Sequence, residues 1–548
     1  MKKQMKRGTR WGIWSLNLII LLLVWTACSN QDEVKEGPVE DEPVNVVLET
    51  EYSSLIQSSC LTCHAVENGK AERISDIRKT PEGWDLTISR MQDVWGLDIT
   101  HEEKREIIKE LSHTNGLAPA EMEESMYWIT REGTTIEDDR GVFAQSCLQC
   151  HSIGQPLAQR RTDEEWDKLK DFHVAFNPAM IYQLRAVDWD EEAGRAIKYL
   201  QENYGFHTKE YEEWQGNKVT HNPAGEWRIV GISPTYGMYT GTSTFTGEGD
   251  DFREERTIAV NGEQIHHKGN SILYSGYSLR TSLDGEERFR GYYNFDRAGK
   301  KITGSRVKVG DTGIYANEVY YPIDSNELLD VWPKSIQKGI KTKVHIAGSG
   351  LPENIALEQI KTNDMLQVSS IEQQNDDLWL DVEIQTNVTD LVVTEISVEG
   401  VSNTVSITLF NEVDFIKVTP EYGLGRYGDE HGRKSVQFQA IAYSFGPDGI
   451  QGTEDDVALG PVQANWSMTD YSSWGEEHHD DQFIGKLDEH TGMFEPAGHG
   501  PNPEREWNTN NAGGVNIHAV YVDPVTGEHL SADGFLLSTV PDFVPKVY

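Results

Sequence analysis

Two copies of the pentapeptide Cys-x-x-Cys-His determine most of the chemistry that this sequence can perform. They occupy residues 60–64 and 147–151. The spacing lets two thiols bond to the vinyl groups of one haem while the adjacent imidazole reaches the iron, and it is the attachment signature of c-type haem. One copy alone would also suit half of a zinc site, but no further cysteine pair completes such a site. We therefore predict two haem c groups, held covalently by Cys60, Cys63, Cys147 and Cys150.

The segments around the two motifs are duplicated, and the duplication predicts the axial ligands of both irons. Residues 78–85 align with residues 160–167, and each segment places a tryptophan four residues after a threonine. Seven residues beyond the tryptophans lie a methionine and a histidine, both competent iron ligands, at equivalent places on a predicted helix. The predicted axial pairs are His64 with Met91 for the first haem and His151 with His173 for the second.

Other residues remain open as the sixth ligands. They are His101, His113 and Met122 for the first haem, and Met180 for the second. Thioether ligation raises the reduction potential relative to imidazole ligation, so the first haem is predicted to be the better electron acceptor.

Helices are the predicted framework that positions these ligands. Thr80 and Thr162 are predicted helix N-caps, and Thr162 with Glu165 matches a capping box. A later helix in each copy is predicted to end at a glycine, Gly116 or Gly205. Each copy is thus predicted to be a small helical cytochrome whose haem supplies much of the core.

From about residue 210 the pattern changes to strands. Residues 258–265 read as a hairpin with a type I′ turn at Asn261-Gly262. Residues 378–384 alternate apolar with polar side chains, which is the period of a half-buried strand. Further strands are predicted over 271–283, 289–295, 435–443 and 515–522.

The predicted fold is multidomain, with an N-terminal α-helical diheme cytochrome c domain followed by three β domains, a barrel and immunoglobulin-like sandwiches. A chain of 548 residues is too long for one hydrophobic core. The predicted domains are a lipoprotein-type signal peptide (1–27), an acidic disordered tether (28–46), the diheme domain (47–209, in modules of about 47–130 and 131–209), a β-barrel (210–330), an immunoglobulin-like β domain (331–414) and a C-terminal β-sandwich (415–548).

The N-terminus has the composition of a secretion leader. Basic residues between Lys2 and Arg10 precede an apolar run, 11–25, that is short for a membrane-spanning helix. The following Thr-Ala-Cys resembles a bacterial lipobox and predicts lipidation of Cys28, although Trp25 departs from the usual aliphatic residue. A periplasmic protein anchored to the membrane through Cys28 is expected, with an uncleaved N-terminal anchor as the alternative.

The overall charge limits the classes of partner that the chain is expected to bind. The formal net charge is −40, which argues against nucleic acid or anionic lipid as a partner and leaves the N-terminal anchor as the expected membrane contact. All five cysteines are committed, four to the haem motifs and Cys28 to the leader. The chain is therefore predicted to have no structural disulfide.

Three clusters in the β regions hold metal-ligating residue types. Residues 448–456 are rich in carboxylates but fail the EF-hand spacing, so an acidic turn is favoured over a calcium site. Residues 478–481 (His-His-Asp-Asp) and the pair His266-His267 are treated as strand residues. Neighbours on a strand face opposite ways, which disfavours a shared metal.

The order of these parts resembles the alpha subunit of quinohemoprotein amine dehydrogenase. The stretches that carry the resemblance are Arg78–Trp84 with Met91, Gly225-Glu226-Trp227, the 446–456 loop leading to Ala464–Ser467, Pro501-Asn502-Pro503 and Asn510–Gly513. The resemblance extends over essentially all of the chain after the tether.

The resemblance implies a heterotrimer with a propeller-shaped beta subunit and a small gamma subunit that carries a cysteine tryptophylquinone. The quinone deaminates a primary amine, and this chain carries the electrons away through its haems to a small cytochrome c or copper protein. No catalytic residue is expected in this chain. A stand-alone, membrane-tethered diheme electron carrier is one alternative. A diheme peroxidase-like enzyme, which needs an open axial position, is another.

Overall fold

The structure is a computed structural model that describes residues 51–130, 137, 141–183, 187–386, 388, 391–427, 432–498, 500–507 and 510–539. The predicted signal peptide, the tether and Cys28 lie outside these residues. Among the residues described, no helix is both long and apolar enough to cross a membrane.

Helices form most of the N-terminal part. Their bounds are Ser54–Ser59 (α1), Pro81–Trp95 (α2), His101–Thr114 (α3), Pro119–Glu123 (α4), Met126–Thr130 (α5), Gly154–Leu157 (α6), Asp163–Phe176 (α7), Met180–Gln183 (α8), Trp189–Asn203 (α9) and Lys209–Gly216 (α10). A 3-10 turn covers Cys147–Gln149. Short strands lie between them: Val66–Glu67 (β1), Lys70–Ala71 (β2), Ile77–Lys79 (β3) and Gln159–Arg161 (β4).

The two helices that carry Met91 and His173 begin where the sequence predicts. The hydroxyl of Thr80 accepts the backbone N–H of Gly83 at 3.1 Å, and that of Thr162 accepts the N–H of Glu165 at 3.4 Å. Half of the predicted capping box is therefore present. The other half is wrong, because the Glu165 carboxylate faces the Arg161 guanidinium at 3.6 Å instead of the N-cap N–H.

The duplicated tryptophans make the same contact in both modules. Trp84 Nε1 donates to the carbonyl of Asn115 at 3.1 Å, and Trp166 Nε1 donates to the carbonyl of Tyr204 at 3.0 Å. Asn115 and Tyr204 are the C-cap residues of α3 and α9. The predicted terminal glycines come directly after these caps, at Gly116 and Gly205.

The modules meet at an antiparallel pair of equivalent strands. β3 pairs with β4 so that Arg78 lies opposite Arg160, its equivalent in the repeat. Equivalent residues opposite each other place a local two-fold axis at this pair. Both arginines are buried and converge on the carboxylate of Glu121, where Arg78 donates at 2.6 and 2.8 Å and Arg160 Nε lies at 3.4 Å.

A closed barrel of eight antiparallel strands follows the helical part. Its strands are Gly225–Ser233 (β5), Gly237–Glu248 (β6), Asp251–Val260 (β7), Glu263–Tyr274 (β8), Ser278–Asp284 (β9), Phe289–Phe295 (β10), Ile302–Lys308 (β11) and Asp311–Pro322 (β12). The predicted type I′ turn is confirmed, with φ of 51° at Asn261 and 84° at Gly262. The single strand predicted over 271–283 is wrong, because Ser275 and Gly276 take positive φ angles and turn the chain back on itself.

Two four-stranded sheets enclose the next core. Their strands are Glu327–Trp332 (β13), Ser335–Gln337 (β14), Thr342–Ser349 (β15), Ile360–Lys361 (β16), Leu366–Gln374 (β17), Asp377–Ile384 (β18), Val392–Val398 (β19) and Thr404–Phe410 (β20). The predicted alternation along β18 is confirmed, since Leu378, Leu380 and Val382 are fully buried in this core.

The C-terminal part has three sheets around another core. Its elements are Phe415–Thr419 (β21), Tyr422–Arg426 (β22), Val436–Gln437 (β23), Gln439–Ser444 (β24), Val457–Val462 (β25), Ala464–Asp470 (β26), Ser473–His478 (α11), Asp480–Phe483 (α12), Gly485–Leu487 (β27), Met493–Pro496 (β28), Gly513–Val522 (β29) and His529–Thr539 (β30). The strand predicted over 515–522 is confirmed within β29. The strand predicted over 435–443 is divided at Phe438, and its two parts join different sheets.

Candidate functional site

The two Cys-x-x-Cys-His motifs fold into the same tight turn. In the second motif the backbone N–H groups of Cys150 and His151 both donate to the carbonyl of Cys147, each at 3.2 Å. The first motif repeats this pattern on the carbonyl of Cys60, at 3.1 and 3.0 Å. None of the four motif cysteines forms a disulfide with a described residue. Each turn thus holds two thiols and one imidazole within a single short loop.

His151 and His173, the predicted axial pair, line one cavity. Their ring centroids are 6.3 Å apart and their planes differ by 28°. Nδ1 of His151 lies 2.9 Å from the carbonyl of Ser152, and Nδ1 of His173 lies 2.7 Å from that of Leu169. When Nδ1–H donates to these carbonyls, Nε2 is the nitrogen that each ring offers to a metal.

This spacing fits a metal ion held between the two rings. A metal bound to two opposed imidazole nitrogens at about 2 Å from each separates the ring centroids by about 6 Å. The observed 6.3 Å agrees with that requirement. Burial lowers the pKa of His173, which keeps its ring neutral near pH 7, as metal ligation demands.

The cavity between the rings has an empty volume of about 960 Å³, including its open mouth. The thiol-bearing residues Cys147 and Cys150 line it, together with Trp189 and apolar residues of α9. Part of the wall comes from the first module, through α2 residues Gly83, Leu86, Thr87 and Arg90. Residues of the first module therefore complete the cavity beside the second haem motif.

Sequence reasoning missed the cationic lining of this cavity. Lys79, Arg90, Arg161 and Lys170 all line it. A signal was available in the basic pairs that precede each threonine N-cap, Arg78-Lys79 and Arg160-Arg161, in a strongly acidic chain.

The first motif packs against an apolar core. Cys60 contacts the buried cluster that contains Trp84 and Ile88 of α2. Met91 follows at the spacing that keeps it on the same face of that helix, and its side chain is half-buried. This arrangement suits Met91 as a ligand, and its ligation of iron stays a prediction.

Burial also sets the protonation of the first motif. It lowers the pKa of His64, whose Nδ1 lies 3.0 Å from the carbonyl of Glu72. Burial, with a smaller contribution from the charge of Glu110, raises the pKa of the Cys60 thiol to about 11.

The structure places the alternative sixth ligands of the two irons in different surroundings. Met122 is fully buried against the barrel, and its sulfur lies 3.6 Å from both Ser278 Oγ and Arg280 Nη2. These contacts with the barrel occupy its sulfur. His101 and His113 are exposed on α3. Met180 is buried and lines the same cavity as His173, so it remains a rival there.

Three protein-family models match the chain, and together they cover most of it. Residues 50–211 match "Quinohemoprotein amine dehydrogenase A, alpha subunit, haem binding". Residues 221–312 match alpha subunit domain II, and residues 416–548 match domain IV. This chain belongs to the quinohemoprotein amine dehydrogenase alpha-subunit family. Its N-terminal part is accordingly a haem-binding domain.

A comparison with curated proteins found no match. Two of the solved structures that resemble this chain illustrate the comparison. A redesigned β-barrel is 10% identical and aligns over 18% of this chain and 90% of its own, with a TM-score of 0.17. Drosophila N-cadherin EC1-4 is also 10% identical, over 58% and 92%, with a TM-score of 0.15. Likenesses this weak carry no argument about function.

The histidine–aspartate run in the domain IV region is not a strand, contrary to expectation. It forms the junction of α11 and α12, with His479 at a φ of 54°. The potential ligand atoms of Asp470, His479 and Asp481 lie within 4.8 Å of one another, whereas Asp480 pairs with Arg505. The three residues that the tertiary fold brings together therefore differ from the four that are adjacent in the sequence at 478–481.

The acidic loop 448–456 bonds to itself. Asp448 accepts the N–H of Ile450 at 2.8 Å, and Asp456 accepts the N–H of Gly452 at 2.7 Å. These contacts favour the predicted acidic turn.

The histidine pair of the barrel divides between the two faces of β8, as expected for strand neighbours. His266 Nδ1 lies 2.8 Å from the hydroxyl of Thr257. His267 is buried against Phe289, and burial together with the charge of Arg256 lowers its pKa to about 4. The two rings therefore do not converge on a common ligand.

Proposed function

We propose that this chain is the electron-transfer subunit of a quinohemoprotein amine dehydrogenase. It would carry two covalent haem c groups and pass electrons from a quinone in a partner subunit to an external redox protein during oxidative deamination of primary amines. The observation that carries this proposal is the cavity that holds His151 and His173, 6.3 Å apart, beside Cys147 and Cys150. Membership in the alpha-subunit family supports it.

The residues of this chain fit electron transfer better than a reaction at the iron. Bound haem supplies a one-electron carrier. His151 and His173 would both hold the iron of the haem on the second motif, and that haem would then have no free position for peroxide. The carbonyls of Ser152 and Leu169 orient the two rings. This geometry argues against a peroxidase reaction at the haem of the second motif.

We place the quinone in another subunit because every cysteine of this chain already has a proposed role. A cysteine tryptophylquinone needs a cysteine crosslinked to a tryptophan, and the five cysteines here lie in the haem motifs and the leader. The expected partners are a propeller-shaped beta subunit and a quinone-bearing gamma subunit, with a small cytochrome c or copper protein as acceptor. No catalytic residue is assigned to this chain.

The proposal includes a periplasmic location with a lipid anchor on Cys28, based on the leader composition. Metabolic labelling with a fatty acid tests this part. The label should enter the wild-type chain and be lost in Cys28→Ala. Equal labelling of both would exclude Cys28 as the anchor.

Purification from the native host tests the central proposal. The chain should come with two partners, one of which stains for a quinone, and a primary amine should reduce the haems of the complex. The isolated chain should be reduced by dithionite yet stay oxidised with the amine. Purification without quinone-bearing partners would favour the stand-alone carrier. Amine-driven reduction of the isolated chain would mean that the chemistry lies in this polypeptide.

A further inference from the structure

The cavity between His151 and His173 is cationic although the chain is strongly acidic. Four of the residues that line it are Lys or Arg, and none of its described lining residues is Asp or Glu. The whole chain has 89 acidic and only 49 basic residues. Composition alone does not explain this contrast, so the positive lining is a local feature of the site.

Two of the four cations have carboxylate neighbours. Lys170 is paired with Asp190 at 2.6 Å. Arg161 has Glu165 at 3.6 Å, but its buried Nη1 has no hydrogen-bond partner among the described residues. Arg161 thus retains an unused donor.

The other two cations come from the first module and have no carboxylate partner in the part of the chain that the structure describes. Lys79 is 7% exposed, and its ammonium donates to the hydroxyl of Thr87 at 2.5 Å. Arg90 is half-buried, with its guanidinium 5.1 Å from the ring centroid of Phe172. Neither forms an ion pair with a described residue.

An anion bound among Lys79, Arg90 and Arg161 would offset the repulsion between their like charges. Burial of a charge without a partner costs several kcal/mol, on the order found for isolated buried ions. Burial, with the charges of Arg161 and Arg90, lowers the pKa of Lys79 well below its ordinary range. A ligand carboxylate placed among Lys79, Arg90 and Arg161 would reduce this free-energy cost. It would also raise the pKa of Lys79 towards its ordinary value.

We propose that Lys79, Arg90 and Arg161 form the carboxylate-binding subsite for the two propionates of the haem attached to Cys147 and Cys150. This rests on the proposed function, in which the second motif carries a haem. Two of the three cations belong to the first module, so the first module controls the charge around the second haem. Positive charge beside a haem favours its reduced form and raises its potential.

Spectroelectrochemical titration of the purified full chain with both haems tests the subsite. Arg90→Met and Lys79→Met should each make reduction of the second haem about tenfold less favourable, equal to about 59 mV for one electron. The first haem should shift less. Arg90→Lys keeps the charge and should keep most of the potential.

Lys198→Met is the matched control. It removes the same charge from an exposed side chain of α9 that is not among the residues lining the cavity, so solvent screens the loss and the potential should stay near the wild-type value. No shift in either Arg90→Met or Lys79→Met, or an equal shift in Lys198→Met, would overturn the subsite.

The pyridine haemochrome count separates the two proposals. Two haems per chain without a selective shift would reject the subsite alone. A wild-type chain without haem on Cys147 and Cys150 would reject the proposed function, and the subsite with it.

Discussion

The two modules of the haem-binding domain share a framework but differ in what surrounds the predicted ligands. Trp84 and Trp166 make equivalent hydrogen bonds to the carbonyls that follow α3 and α9. Seven residues further on, the first module has a half-buried Met91, and the second has His173 in a cationic cavity. If each module carries a haem, as proposed, one scaffold would give the two haems different properties through one ligand and a few neighbouring charges.

The first module also contributes charge to the site of the second motif, because Lys79 and Arg90 line that cavity. Since nearby cations raise a haem potential, we expect these residues to reduce the difference in potential that the axial ligands produce between the two proposed haems.

The largest expected effect is loss of a haem. Cys63→Ala and Cys150→Ala should each reduce the covalent haem count from two to one, because each removes one attachment thiol of one motif only. A haemochrome assay on denatured, dialysed protein measures the count. Retention of both haems by either variant would contradict the assignment of one haem to each motif.

Replacement of Met91 tests the difference between the ligands. Met91→Ala should abolish any methionine–iron charge-transfer band and lower one potential by on the order of 0.1–0.3 V, within the roughly 0.8 V range that axial ligands span. The other potential should stay near its starting value. If the band survives in Met91→Ala and disappears in Met180→Ala, the repeat alignment has assigned the wrong methionine.

Glu121→Gln tests the junction that the two modules share. The substitution leaves the buried Arg78 and Arg160 without their common anion, which should cost about 3–5 kcal/mol in the free energy of unfolding. Urea titration followed by both haem absorption and tryptophan fluorescence measures the loss. Destabilisation of one module alone would contradict a shared junction.

The same junction predicts a dependence on pH. Burial alone would raise the pKa of Glu121, but hydrogen bonds from Arg78 and the charges of Arg78 and Arg160 outweigh it and lower the pKa. A lowered folded pKa stabilises the protein above the ordinary Glu value of about 4.3, and that stability is lost as the pH falls through the folded pKa. Glu121→Gln should flatten the acid limb, and an unchanged limb would contradict this origin.

The smallest expected effect tests the equivalence of the frameworks. Trp84→Phe and Trp166→Phe each remove one indole N–H from a buried carbonyl, at a cost of about 1–3 kcal/mol. The two losses should be similar by chemical denaturation. A clear difference between them would show that the modules are less alike than the repeat implies.

Features that depend on neighbours in the chain were predictable from the sequence. The haem motifs, the threonine caps of α2 and α7 and the Asn261-Gly262 turn each act within a few residues, because their chemistry is local. The equivalent spacing of Met91 and His173 also followed from the repeat. The strands over 271–283 and 435–443 were predicted too long, because Gly276 and Phe438 are positioned by contacts with distant segments.

The sequence alone therefore predicted which residues could attach and ligate haem, and it predicted that β domains follow them. Only the tertiary structure decided that β3 pairs with β4, that Glu121 lies between two arginines, and that first-module cations line the second cavity. These contacts join residues far apart in the chain. Their energies come from desolvation and charge pairing in the folded interior, which no local pattern of residue types records.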